Sequence, residues 1–146
     1  MLRLFSLGVL AAAISLLIEL LLFSVFEEKS LVLLALAIPL IEESTKFVLL
    51  FKAKDFLPQR FSPSFFSAAG AFGLGFALPE SILSESANLM VSPISFGMAM
   101  SIHLISAFFL ASAILFLTKK NLLSTFSLFV FSLAIHALYN FLIFIQ

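Results

Sequence analysis

The sequence predicts an all-α integral membrane protein, a bundle of about five transmembrane helices in one domain. Three observations predict it: 62% of the 146 residues are hydrophobic, only 11% are charged, and the mean hydropathy is +1.22. A soluble domain is about half apolar and a quarter charged. The composition therefore excludes a soluble enzyme and a disordered chain. Because no basic face exists to neutralise phosphates, it also excludes a nucleic-acid partner.

Polar breaks divide the chain into apolar segments that each reach the length of about 20 residues that a helix needs to cross the hydrocarbon. We place the spans at about 4–26, 31–51, 64–87, 94–117 and 122–145. Strands of a transmembrane barrel are shorter and alternate in polarity. The first segment has the Arg3 and apolar run of a signal peptide, but its length and Glu19 favour a retained helix. We expect Glu19, which stands alone in this span, at a surface or interface.

Lysine and arginine residues in the short connections predict the orientation of the bundle. One side of the predicted bundle holds Arg3, Lys52, Lys54, Arg60, Lys119 and Lys120, whereas the other side holds Lys29. Because positive residues collect on the cytoplasmic side of a membrane, we expect a multi-pass protein of the cell membrane. Its N-terminus should be cytoplasmic and its C-terminus should lie outside.

Ionisable residues inside the predicted spans are the candidate functional residues, since each costs about 2.5–3.5 kcal/mol on insertion scales. Glu42, Glu80, His103 and His136 each lie about ten residues from the outer end of a span. At about 1.5 Å per residue, this spacing predicts one polar layer roughly 15 Å deep. The alternative for Glu80 is a solvated loop position, which holds if the third span ends at Pro79.

Polar residues three and four positions apart share a helix face. Lys46 follows Glu42 by four residues and Glu43 by three, so it can pair with either, and Asn140 follows His136 by four. A buried pair that only fixes the helix register is the alternative interpretation. Between the two glutamates, the spacing slightly favours Glu43 as a general base, because Glu42 is better placed to hold Lys46.

Carboxylates beside imidazoles suit the activation of water, with a glutamate as general base and then general acid. Imidazole and amide groups such as Asn140 can also donate hydrogen bonds to an oxyanion. If a metal is used, Glu80, His103 and His136 are the expected ligands and zinc is the expected ion. A structural role, in which each histidine only hydrogen-bonds a neighbouring helix, is the alternative interpretation and stays open.

Four short motifs follow one another on successive predicted spans. Residues 42–46 read EExxK, residues 76–80 read FxxxE, His103 opens a polar histidine motif, and residues 136–140 read HxxxN. In this order, over residues 42–140, the chain resembles the PrsW family of intramembrane proteases, distant relatives of the CAAX-processing and bacteriocin-processing membrane proteases.

The resemblance implies an endopeptidase that cleaves a membrane-anchored protein substrate, as in site-1-type regulatory cleavage. It implies a site formed by Glu42, Glu43, Glu80, His103 and His136, with Lys46 and Asn140 supporting it. Whether zinc takes part stays open.

Two other classes of function use the same groups. One is a proton or divalent-metal transporter, although no internal repeat is visible and five spans form a small scaffold unless the chain forms a homo-oligomer. The other is a non-catalytic membrane adaptor.

Small residues recur in the third span, at Ser67, Ala71 and Gly75 with Gly70 and Gly73 beside them. They predict either close helix packing or backbone room for a bound peptide.

Overall fold

The computed structural model describes residues 1–25, 31–86 and 93–144, and the elements of these segments are helical. They are α1 (Leu2–Val25), α2 (Leu31–Lys52), a 3-10 turn (Lys54–Phe56), α3 (Pro63–Ser86), α4 (Pro93–Thr118) and α5 (Leu122–Phe144). The predicted all-α class is confirmed. The helix ends that lie inside the described segments, at Leu2, Lys52, Pro63, Thr118 and Leu122, fall within two residues of the predicted span ends. The predicted span ends at 26, 87 and 145, and Lys29, lie outside the described residues.

Helices α1, α3, α4 and α5 are long and apolar enough to cross a membrane, which makes this a membrane protein. Their apolar stretches are Leu2–Ser24, Pro63–Leu83, Phe96–Thr118 and Leu122–Leu142. Helix α2 differs because Glu42, Glu43 and Lys46 lie near its middle. That α2 also crosses the membrane stays a prediction.

The turn between α4 and α5 is fixed by its own hydrogen bonds. Lys120 has a left-handed backbone with a φ of 59°. This conformation lets the N–H of Asn121 bond back to the carbonyl of Phe116 at 3.0 Å, as in common helix C-terminal motifs. The Asn121 side chain then caps α5 by accepting the N–H of Ser124 at 3.1 Å. The two helices therefore leave the turn as antiparallel neighbours.

The main packing pairs place the helices in a closed ring, in the order α1, α3, α4, α5, α2. Helix α2 packs on both its ring neighbours, α1 and α5, and also on α4 across the ring. The polar face of α2 is therefore turned towards the interior of the bundle and away from lipid.

Helices α1 and α3 approach each other at glycines. A Cβ atom on Gly75 would collide with the carbonyl oxygen of Phe5, and Gly8 faces α3 in the same way. On α3, Gly73 faces α4 instead, where a Cβ would lie 2.9 Å from the carbonyl oxygen of His103. At Gly73 and Gly75 the small residues serve close helix packing, so neither position leaves room for a bound peptide.

The apolar core lies at one end of the bundle, among the starts of α1 and α3 and the ends of α2 and α4. Its buried members include Leu4, Ala11, Leu50, Phe65, Phe72, Leu110 and Ile114. Glu42, Glu80 and His103 of the predicted layer lie on α2, α3 and α4, away from this end, and His136 lies on α5. Packing at this end therefore fixes the relative positions of α1, α2, α3 and α4, and so those of the polar residues that they carry.

Candidate functional site

Glu43 is the centre of a buried hydrogen-bond cluster that joins α2, α4 and α5. Its Oε1 lies 2.7 Å from Lys46 Nζ and 2.9 Å from His136 Nδ1. Its Oε2 accepts the hydroxyls of Ser106 and Ser132, both at 2.5 Å. A carboxylate has about four acceptor positions, and these donors fill them. Glu43 therefore has no acceptor position left with which to take a proton from water.

Lys46 is fully buried and its ammonium is shared among several partners. It donates to Glu43 at 2.7 Å and lies 3.0 Å from Nδ1 of His103. Glu42 Oε2 is farther away, at 3.6 Å, and the ring of Phe76 lies with its centroid 3.9 Å from Nζ. The expectation that Glu42 holds Lys46 is wrong, because Glu43 is the residue that makes the short contact. Donors from α4 and α5 favour this position of Glu43.

The partners of His103 assign its tautomer. Because the Lys46 ammonium donates to Nδ1, the ring proton of neutral His103 is assigned to Nε2. That nitrogen contacts Oε2 of Glu80. Glu80 lies within α3, which continues through Pro79 to Ser86, so it is not a loop residue. The structure therefore joins α2, α4 and α3 through one chain of contacts, from Lys46 through His103 to Glu80.

An acceptor atom of His136, Nε2, faces an acceptor atom of Glu42, Oε2. His136 donates from Nδ1 to Glu43, which leaves a lone pair on Nε2. Nε2 lies 3.6 Å from Oε2 of Glu42, which is too far for a good hydrogen bond. Within the described part of the chain, this buried oxygen of Glu42 has no hydrogen-bond donor. A water molecule that donates to both atoms would satisfy the pair.

A cavity of about 310 Å³ opens beside Glu42, between α1, α2 and α3. We call it the side cavity; it is lined by Val9, Ala12, Ala13, Ser15, Leu16, Glu19, Glu42, Phe76, Pro79, Glu80 and Leu83. Its volume is at the lower end of the range for ligand sites. Glu42 and Glu80 line it, whereas Glu43 and Lys46 do not. Glu19, which is partly buried, also lines it; that its role is at a surface or interface and not in the chemistry stays a prediction.

The residues that could hold a metal are Glu42, His103 and His136, which offer ligand atoms within 4.8 Å of one another. The sequence predicted Glu80 in place of Glu42. The donors of this set do not fit zinc in the assigned tautomer, because Nδ1 of His103 accepts from Lys46 and Nε2 carries the ring proton. Only Glu42 and His136 then offer lone pairs, and a catalytic zinc takes three protein ligands.

Sequence reasoning placed Asn140 in the site and overlooked Ser132. Asn140 is partly buried on α5, and within residues 1–25, 31–86 and 93–144 it makes no hydrogen bond to the cluster. Ser132 is fully buried and bonds Glu43. It precedes His136 by four residues, so a hydroxyl on the histidine's face of an apolar helix was the signal that could have found it.

Comparison of the chain with protein-family models, curated proteins and solved structures found no match. Its function is therefore inferred from the cluster, the side cavity and the four motifs.

Proposed function

We propose that the protein is an intramembrane endopeptidase that hydrolyses a peptide bond of a membrane-anchored protein, as in site-1-type regulatory cleavage. The observation that carries the proposal is Glu42, which lines the side cavity and whose buried Oε2 has no donor among the described residues. A general base must reach a water molecule within hydrogen-bond distance, and this oxygen is free to do so. The order of the four motifs supports the same class of enzyme.

In the proposed reaction, water lies between Glu42 Oε2 and His136 Nε2 and donates a hydrogen bond to each. Glu42 takes one proton as the water oxygen attacks the carbonyl carbon of the peptide. The same proton then passes from Glu42 to the leaving nitrogen as the carbon–nitrogen bond breaks. Glu42 thus acts first as base and then as acid, and it is again a carboxylate at the end of the reaction.

The oxyanion of the tetrahedral intermediate requires a donor, and His103 offers one. Its Nε2 lies beside Oε2 of Glu80 but makes no hydrogen bond within the described residues, and a substrate carbonyl that displaces this carboxylate would accept the Nε2 proton. Lys46 lies 3.0 Å from the opposite ring nitrogen, so its positive charge strengthens His103 as a donor. Glu80 then keeps His103 oriented until substrate enters.

Glu43 is a positioning residue in this proposal. It holds Lys46 and His136, and through them it directs one imidazole to donate and the other to accept. In this proposal Glu42 is the base, and His103 accepts from Lys46 at Nδ1 and carries its proton on Nε2. The proposed chemistry therefore requires no metal.

The proposed orientation follows the distribution of lysine and arginine. The N-terminus is cytoplasmic, the C-terminus is outside, and the cluster lies in the outer half of the membrane. A membrane-anchored substrate would reach the side cavity laterally from the bilayer, beside α1. Because helical peptide bonds are shielded by their own hydrogen bonds, the substrate must be locally unwound where it is cut.

Cleavage of single-pass peptides by the purified full chain in lipid nanodiscs tests the proposal, with products identified by mass spectrometry. Glu42→Gln should lower kcat/KM at least about 100-fold, since general-base catalysis contributes about 10²–10⁴. Asp55→Asn is the matched control, because it makes the same change at an exposed carboxyl in the 3-10 turn. Full activity of Glu42→Gln would contradict the proposal. Ion flux into vesicles that Glu42→Gln abolishes, without any cleavage, would favour a transporter.

A further inference from the structure

Two polar side chains of α1 face the side cavity and have no part in the proposed hydrolysis. Ser15 is 2% exposed, and Glu19 follows it by four residues on the same helix face. Within the described residues, Ser15 Oγ and Glu19 Oε1 are buried and have no hydrogen-bond partner. Buried polar atoms without partners are rare in proteins, so each calls for an explanation. A bound molecule that supplies donors would satisfy both.

The side cavity is acidic and otherwise apolar. Glu19, Glu42 and Glu80 contribute carboxyl groups to its wall, and no lysine or arginine of the described residues lines it. Lys46, the nearest cation, is already held by Glu43 and His103. Carboxyl groups in a low-dielectric site are stabilised when a cation enters beside them. The complement of this cavity is a positive group on an apolar stem, which describes a lysine or arginine side chain.

We infer that the side cavity binds a basic side chain of the substrate polypeptide and that Glu19 selects it. That the bound polypeptide is a substrate rests on the proposed function. Val9, Leu16 and Leu83 form apolar wall for the stem, and Glu19 receives the charge. Ser15 can donate to or accept from the backbone beside that side chain. A volume of about 310 Å³ suits one side chain with adjacent extended backbone.

Cleavage of matched peptides tests the selection. Single-pass peptides that differ only in one residue, lysine, arginine, leucine or glutamate, are compared at each position near the cut. At one position the wild-type chain should prefer lysine or arginine to leucine by about tenfold or more, as expected for a desolvated ion pair. Glu19→Gln should remove this preference, Glu19→Asp should keep it, and Glu19→Lys should shift it to glutamate. A preference that persists in Glu19→Gln, or no preference at all, overturns the inference.

Binding is measured separately from cleavage with a single thiol. The chain has no cysteine, so Ser15→Cys introduces one thiol into the cavity. On a Glu42→Gln background in nanodiscs, a lysine-bearing peptide should slow maleimide modification at least about threefold more than the leucine peptide. Adding Glu19→Gln should remove that difference. A thiol that maleimide never reaches, or equal protection by both peptides, overturns the inference.

The two measurements separate the two proposals. Protection that depends on Glu19, without cleavage of any peptide, supports the basic-side-chain site and overturns the peptidase proposal. Cleavage without protection or preference that depends on Glu19 supports the peptidase and overturns the site. Matched thermal unfolding of the variants ensures that the comparison is made between folded proteins.

Discussion

Glu43 on α2 and His136 on α5 are 93 residues apart in the chain, and their Oε1 and Nδ1 atoms lie 2.9 Å apart. This bond fixes which nitrogen of His136 carries the proton and turns the other nitrogen towards Glu42. Two adjacent glutamates therefore differ in environment. The carboxylate of Glu43 is saturated with donors, whereas Oε2 of Glu42, a residue of the side-cavity wall, accepts no hydrogen bond within the described residues.

Glu43→Gln should destabilise the fold far more than Glu42→Gln. Removal of one partner of a buried ion pair costs about 3–5 kcal/mol, and here the ammonium of Lys46 loses its short contact. Glu42 lies 3.6 Å from Lys46 and its buried Oε2 accepts no hydrogen bond within the described residues, so its change to glutamine should cost much less, because a buried carboxylate without donors is itself unfavourable. Equilibrium unfolding in mixed micelles with increasing dodecyl sulfate measures both. The reverse order of stabilities would contradict the assignment of Glu43 as the structural anchor.

Ser106→Ala and Ser132→Ala should each lower the free energy of unfolding by about 1–3 kcal/mol, because each removes a donor from a buried carboxylate. Ser112→Ala is the matched control, since its buried hydroxyl bonds the Phe108 carbonyl of its own helix. The control should cost clearly less in the same unfolding titration. The double variant should be non-additive, because both hydroxyls share one oxygen of Glu43. If Ser106→Ala, Ser132→Ala and Ser112→Ala lower the free energy of unfolding equally, the two cluster serines do not act through Glu43.

The helices were predictable because length and hydropathy are local properties of the chain, and polar breaks mark their ends. The division of roles between Glu42 and Glu43 was not. Adjacent helical residues differ by about 100° in direction, so the role of each depends on which face of α2 meets α4 and α5. The packing of α2 on α4 and α5 cannot be predicted from the sequence alone. The donors Ser106 and Ser132 come from those two helices and decide it.

The residues that the cluster brings together were largely predictable, because matched depth on antiparallel helices places side chains in one layer. Their pairing was not predictable, since the contact of Glu80 with His103 requires the two side chains to point at each other. The position of Glu19 beside a cavity was not predictable either. A single carboxyl in an apolar helix gives no indication of whether a neighbour leaves a cavity beside it.

Active protein should contain no stoichiometric zinc. Nδ1 of His103 accepts from Lys46 and Nε2 carries the ring proton, so the neutral ring offers no lone pair to an ion in this arrangement. Metal analysis of the purified full chain should find well below one zinc per chain, and 1,10-phenanthroline should leave peptide cleavage unchanged. One zinc per chain in active wild-type protein, lost in His103→Ala/His136→Ala, would contradict the metal-free proposal.

The 3-10 turn and the α4–α5 turn should both face the cytoplasm. Lys52, Lys54, Arg60, Lys119 and Lys120 lie in or next to these two connections. Because the chain lacks cysteine, Asp55→Cys and Asn121→Cys each carry one thiol at an exposed position. A membrane-impermeant maleimide should label both in inverted vesicles and neither in intact cells. Labelling of either from outside would reverse the proposed orientation.

Gly75→Ala should disturb both the packing of α1 on α3 and the side cavity that α1 encloses. The added Cβ would collide with the backbone carbonyl of Phe5, which cannot rotate away as a side chain could, so α1 must shift. Overpacking of this kind costs about 1–3 kcal/mol or more, and the shift should also lower kcat/KM for lysine-bearing peptides.

Gly97→Ala is the matched control in α4, since nothing lies within 4 Å of its Cβ position. There the free energy of unfolding should be unchanged or rise by up to about 1 kcal/mol, because alanine favours the helix. Dodecyl sulfate titration of the two variants measures the difference, and equal stabilities would refute the close approach of α1 and α3.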